Sequence, residues 1–276
     1  MGHPKSPAIQ SLIWYILLAF GFSWLVWLFP FLSSRGFFAL PLPNTVWVIL
    51  GAHGPLVASL FLTHRSGGWQ AVGRLIRSGF NLRMNARWWL AILVGPIVLA
   101  AIAVWTNMRL NSYQPDTSLL AQPLLIPPTF LIMFFLGGSF QEEFGWRGYA
   151  LPRLLKTSAP LRASIILGAL WGLWHLPLFY ISGVSQSFMP FGVFLLLTLA
   201  FSVLFTWFWL RTDHNLFSAL LFHTAINTSL SLFPPIEQRA DGNQTAFKYL
   251  MIAYFLVSVT VILLEPIFRE NKSIRG

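Results

Sequence analysis

The chain has 276 residues, of which 56% are hydrophobic, 16% aromatic and 9% charged, with a mean hydropathy of +0.66 and a formal net charge of +10. Charges this scarce cannot clothe a soluble fold, where about 25% is usual, and the apolar excess is the reverse of a disordered chain. The basic residues form no single dense patch of the kind that binds nucleic acid, and with no cysteine there is no disulfide, thiolate metal site or cysteine nucleophile.

A membrane-crossing helix needs about 20 mostly apolar residues, and eight segments answer to that description: 11–33, 44–63, 88–106, 127–154, 162–181, 190–210, 215–233 and 247–267. The first lies behind Lys5 alone, exceeds a signal-peptide core in length and has no small-residue cleavage site after it, so it reads as a retained span. Between the second and third, Gly67 to Trp89 mixes arginines with Trp69, Leu75, Ile76, Phe80 and Leu82. That mixture fits either an amphipathic stretch on the cytoplasmic membrane surface or an ordinary basic loop. The fourth segment is long and carries charges. No soluble domain is inserted, and residues 1–276 read as one all-α polytopic helix bundle with a core over about 127–230.

Basic residues set the orientation. With eight spans, Lys5, Arg65, Arg74, Arg77, Arg83, Arg87, Arg153, Lys156, Arg162, Arg211, Arg269, Lys272 and Arg275 share one side, against Arg35, Arg109, Arg239 and Lys248 on the other. Both termini are therefore expected in the cytoplasm, and the chain is expected in a cell membrane of prokaryotic inner-membrane type.

Of the eight acids, Asp116, Asp213, Glu237, Asp241, Glu265 and Glu270 fall in loops, tails or span ends, whereas Glu142 and Glu143 sit inside the fourth segment. A charge at mid-bilayer costs roughly 2.5–3.5 kcal/mol even on a lenient scale. Glu143 and Arg147 are an i,i+4 pair with the acid first, the favourable order for a salt bridge. Glu142 points about 100° away round the helix. Glu143–Arg147 thus reads as a clamp supporting the site, and Glu142 as the carboxylate left for chemistry.

Two later segments supply partners: Trp171 and His175 share one helical face, and His223 and Asn227 another. Glu142 is eleven residues from Arg153, and His175 thirteen from Arg162, so both lie roughly 17–20 Å from the same side at 1.5 Å per residue, provided the fourth helix continues past Arg147. Trp171 and Trp174 read as packing, and His53 as a hydrogen-bonded core histidine.

A carboxylate beside an imidazole, with a second imidazole and an amide nearby, suits hydrolysis. Glu142 and His175 can hold and deprotonate a water, while His223 and Asn227 donate to a tetrahedral oxyanion. No serine or threonine in these motifs is placed as a nucleophile. On the residues alone, a zinc site of Glu142, His175 and His223 with water in the fourth position competes nearly equally, although no His-Glu-x-x-His spacing supports it. A non-enzymatic reading also stands, with a transporter or bacteriocin-immunity protein using the same buried charges, and so does a scaffold that binds a partner membrane protein.

Glu142-Glu143-x-x-x-Arg147, Trp171-x-x-x-His175 and His223-x-x-x-Asn227 occur in that order on successive segments. The set resembles the three motifs of the CAAX protease and bacteriocin-processing (CPBP, Abi-like) family, over roughly residues 127–230. The resemblance implies a multi-pass intramembrane endopeptidase of the glutamate type without a metal cofactor, in which Glu142 and His175 activate water, His223 and Asn227 stabilise the oxyanion, and Glu143, Arg147 and Trp171 support the site. It implies a membrane-associated peptide or protein as partner, lipidated in the CAAX enzymes, and the expected place of cleavage is the cytoplasmic half of the membrane. Trp171 stands where the family's motif has phenylalanine.

Overall fold

A computed structural model describes residues 7–239 and 241–269; Lys5, Glu270, Lys272 and Arg275 lie outside them. The described residues form helices and their connections, without strands: α1 (Pro7–Ser34), α2 (Asn44–Ala52), α3 (Gly54–Ser78), α4 (Ala86–Asn111), α5 (Ile126–Phe135), α6 (Ser139–Gly145), α7 (Leu151–Leu155), α8 (Pro160–Trp174), α9 (Phe191–Arg211), α10 (Leu216–Leu232), α11 (Thr245–Leu264) and α12 (Pro266–Arg269). Seven helical stretches are long and apolar enough to cross a membrane, and α10 is a shorter apolar helix of 17 residues. The protein is a multi-pass membrane helix bundle.

Two of the expected spans differ in shape. The second runs on as α2 and α3 to Ser78, bent at Gly67 and Gly68, where Gly68 has a φ of 63°. Beyond the bend the chain stays helical to Ser78, with Trp69, Arg74 and Arg77 exposed and Val72 buried, so this part of the stretch is helix and not loop. The fourth is not one continuous helix. It breaks at Leu136–Gly138 between α5 and α6, and relaxes into a π turn at Trp146–Ala150 before α7.

Hydrogen bonds between loops define two faces. On the basic face, the Asn215 amide donates to the carbonyls of Asn81 and Arg83, at 2.9 and 3.2 Å, and Arg211 pairs with Glu265 at the end of α11. On the opposite face, Ser182 N–H donates to Ser34 Oγ at 3.0 Å, Asn44 to the Ser182 carbonyl at 3.0 Å, and Tyr113 to the Pro234 carbonyl at 3.0 Å. The alternation of spans expected from the basic residues is the alternation of these faces.

The centre is α8, α9 and α10. Gly168 lets α8 and α9 touch: a Cβ there would lie 2.9 Å from both Leu199 Cα and Ser202 Cβ, the close approach that small residues permit where lipid offers no hydrophobic drive. Several buried hydroxyls in these helices donate to the carbonyl four residues back, as in Thr206 to Ser202 and Thr224 to Leu220, which satisfies them within their own helix. Asn85 and Asn215 cap α4 and α10 by accepting from Arg87 N–H and Phe217 N–H.

Candidate active site

The break in the fourth span exposes backbone groups that have no water to bond in a bilayer, so side chains must satisfy them. Three do. The Gln141 amide donates to the Phe135 carbonyl at 2.8 Å while its oxygen accepts from Gly138 N–H at 3.2 Å. Ser139 Oγ donates to the Met133 carbonyl at 3.3 Å. Asn227, from α10, donates to the Gly137 carbonyl at 2.6 Å. Gly138 adopts a φ of 108°, open in practice only to glycine.

That break starts α6 in the interior and sets Glu142 one turn in, 5% exposed. Its Oε2 accepts from Trp171 Nε1 at 2.6 Å. Its Oε1 faces the empty side of Gly138, where a Cβ would lie 2.7 Å from that oxygen and 3.3 Å from His223 Nε2. Glycine therefore does two things here: it turns the chain and leaves room between the carboxylate and an imidazole.

Glu143, fully buried, faces away, as the helical geometry predicted. Its Oε1 accepts from Arg147 NH1 at 3.0 Å. The same oxygen bonds His223 Nδ1 at 2.7 Å, so the carboxylate is more than a local clamp and also orients a histidine 80 residues away. The Arg147 guanidinium lies over the rings of Phe205 and Trp171, at 3.9 and 4.6 Å from their centroids. Cation–π contact of this kind is stronger in a desolvated site.

His175 follows the last residue of α8. Its Nδ1 bonds the Trp171 carbonyl at 2.8 Å, and the ring packs against Trp174 and Phe194. A carbonyl only accepts, so Nδ1 carries the hydrogen and Nε2 keeps its lone pair. The hydrogen bonds of Glu142 run to Trp171 and not to His175; the two line the same space. That space comprises two adjoining cavities of about 480 and 420 Å³, sharing Met133, Gly137, Glu142, His175, Ser185, Gln186 and Gln238. His223 and Asn227 line the second, together with Trp171 and Phe201. The four residues singled out for chemistry thus surround one continuous volume.

The family description "Type II CAAX prenyl endopeptidase Rce1-like" matches residues 123–229. The "CAAX prenyl protease 2" of Methanococcus maripaludis is 31% identical over 138 residues, covering 48% of this chain and 49% of that protein. The likeness to the CAAX protease family is shown for this segment. The chain spans about half the length of the curated relative it matches. The matched segment contains every motif residue, from Glu142 to Asn227, and also the break at Gly137–Gly138.

Two residues of the matched segment belong to none of the three motifs: Gln141, which caps the break, and Gly138, which makes room at the carboxylate. The signal for Gln141 was present, a third polar residue beside two acids in an otherwise apolar run. His53 lies outside both cavities and bonds the Ile49 carbonyl at 2.8 Å, between α2 and α3. Among the described residues no group of three His, Asp or Glu side chains is arranged to hold a metal ion.

Proposed function

We propose that the chain is an intramembrane endopeptidase that hydrolyses a peptide bond with a water activated by Glu142. The observation that carries this is the placing of a buried carboxylate, two imidazole Nε2 atoms and an amide around one cavity inside a membrane bundle, on the segment that matches the CAAX endopeptidases. The substrate class is a membrane-associated peptide or protein, and the "CAAX prenyl protease" name of the relative supports that class.

Water sits between Glu142 and His175 Nε2, which orients it as a second acceptor. Its oxygen attacks the scissile carbonyl carbon as one proton passes to Glu142. The carbonyl π electrons move to oxygen, giving a tetrahedral oxyanion, the species preorganised donors stabilise most. His223 and the second N–H of Asn227 meet that oxyanion. Because His223 Nδ1 is held by Glu143, its Nε2 donates only as the imidazolium, whose charge the Glu143 carboxylate balances. Glu142 then returns its proton to the leaving nitrogen, the C–N bond breaks, and an acid and an amine depart. Asn227 also holds the Gly137 carbonyl, which ties the oxyanion donor to the break that positions Glu142.

The test compares peptide termini by mass spectrometry in membranes containing the wild type or Glu142→Gln. Cleavage is expected only with the wild type, since loss of a general base costs about 10²–10⁴-fold; a Glu142→Gln protein that still cuts would overturn the proposal. Activity should survive a chelator, whereas a zinc enzyme would lose it. A transporter would show flux dependent on Glu142 without new peptide termini, and a scaffold would be indifferent to Glu142→Gln.

A further inference from the structure

The stretch around and beyond the bend in α3 lines neither cavity. It carries Arg65, Arg74, Arg77, Arg83 and Arg87 and no acid, and the first acid in the chain is Asp116. All five arginines are exposed. Among the described residues none of them lies within ion-pairing distance of a carboxylate. Arg87 rests over the Trp88 ring, which leaves its charge unbalanced. Trp69, Phe80 and Leu82 stand among these arginines in the sequence and are exposed as well, Trp69 at 76%.

The level of this stretch in the bundle follows from helix length. From Asn44 to Ser66 the chain rises roughly 35 Å as helix, enough to cross a hydrocarbon core of ~30 Å. The bend at Gly67 and Gly68 therefore falls where the headgroups begin. Exposed aromatic and leucine side chains are poorly placed in water, and unpaired arginines are poorly placed in hydrocarbon. The boundary between them suits both.

The same stretch is fastened to the two helices that carry most of the site. Leu75 Cδ1 lies 3.0 Å from the point where a Gly148 Cβ would stand. Gly79 leaves no room for a side chain between itself and the Phe144 ring, and Leu220 Cδ1 is 3.0 Å from the same point. Phe144 follows Glu143 on α6, and Leu220 precedes His223 on α10. Asn215 caps α10 and donates to the carbonyls of Asn81 and Arg83.

We infer that residues 65–87 form a docking surface for the phosphate headgroups of anionic phospholipids, and that a docked headgroup braces α6 and α10 through Phe144 and Asn215. Five positive charges without an internal counter-charge call for an external anion, and the bilayer presents one at this level. A soluble acidic protein would match the arginines but not the interleaved Trp69, Phe80 and Leu82. Neither part of the inference depends on whether Glu142 cleaves a peptide.

The test uses the full chain, whose lack of cysteine allows a single dye at Gln70→Cys or, separately, at Leu82→Cys. Each protein is reconstituted in phosphatidylcholine vesicles holding a trace of acceptor-labelled phosphatidylglycerol or acceptor-labelled phosphatidylcholine. An arginine near a bilayer surface is worth about fivefold in preference for an anionic lipid. Energy transfer should therefore show phosphatidylglycerol well above its bulk share beside the dye. The enrichment should vanish with Arg74→Gln, Arg77→Gln and Arg83→Gln combined, survive the same three changed to lysine, and shrink in high salt. Arg35→Gln with Arg109→Gln, on the opposite face, should leave it unchanged. Equal transfer from both lipids overturns the inference and leaves the arginines to a protein partner. Bracing is read from thermal unfolding by circular dichroism. The wild type should melt at a higher temperature in vesicles rich in phosphatidylglycerol than in phosphatidylcholine alone, and the triple glutamine variant at the same temperature in both. Asn215→Ser keeps a capping oxygen and loses the amide, so lipid enrichment should persist while the thermal shift shrinks. A wild type that melts alike in the two lipids would overturn the bracing.

Discussion

Helices α4 and α10 pack on each other and are both apolar, yet they are built for opposite surroundings. On α4, Leu90, Val94, Val98, Ile102, Trp105 and Met108 form an exposed stripe at helical spacing, and small or single polar residues such as Ala100, Ala103 and Asn107 turn inward. On α10 the inward side is nearly the whole circumference, and it carries Ser218, His223, Thr224, Thr228 and Ser229. A lipid-facing helix can spend its outer face on any apolar side chain. A central helix has neighbours all round and can hold polar groups, provided each has a partner. Hydropathy alone ranks the two as alike; the position of polar residues around the circumference separates them.

That contrast makes the effect of substitutions fall steeply from the centre outward. Arg147→Ala strips the buried Glu143 carboxylate of one of its two partners and leaves it His223, with an expected loss of about 3–5 kcal/mol in stability, read as thermal unfolding in detergent; a melting temperature near wild type would mean that His223 alone satisfies Glu143. Gly138→Ala forces a side chain into a φ of 108° and a methyl onto the Glu142 carboxylate. Cleavage should drop by about 10²-fold, as for a misplaced catalytic group, with a smaller loss of stability. Trp171→Phe keeps the ring but removes the N–H bonded to Glu142. A hydrogen bond to a charged group is worth ~1.5–3 kcal/mol, so kcat should fall about ten- to a hundredfold while KM and the melting temperature hold; equal activity would reduce Trp171 to packing. Ile102→Leu on the α4 stripe should stay within about 0.5 kcal/mol of wild type, and a larger change would show that this stripe is not lipid-facing.

The apolar segments, their alternation and the pairing of Glu143 with Arg147 were legible because each depends on residues close in sequence: a 20-residue apolar run, a loop arginine, an i,i+4 spacing. The broken fourth span was not. Gly137-Gly138 sits in a phenylalanine-rich run, and glycine is common in membrane helices; what unwinds the chain there is the reach of Asn227 and Gln141 to its carbonyls, and Asn227 is 90 residues away. The same holds for His223. Its spacing to Asn227 marked it as part of a site, but its bond to Glu143 spans 80 residues, and a helical wheel sorts side chains only within one helix. Trp171 was read as a wall because an aromatic in an apolar helix usually is one; its polar edge became relevant only once Glu142 stood beside it.

The shortness of α10 bears on how the proposed hydrolysis would obtain its second reactant. Seventeen residues rise only ~26 Å, against a hydrocarbon core of ~30 Å. Its neighbours stop short as well, α8 at Trp174 and α5 at Phe135. Where these helices stop, loops rather than lipid close the cavity, and the exposed Ser185 and Gln238 give its rim a polar edge. Solvent has a path over that polar rim that does not require it to permeate lipid.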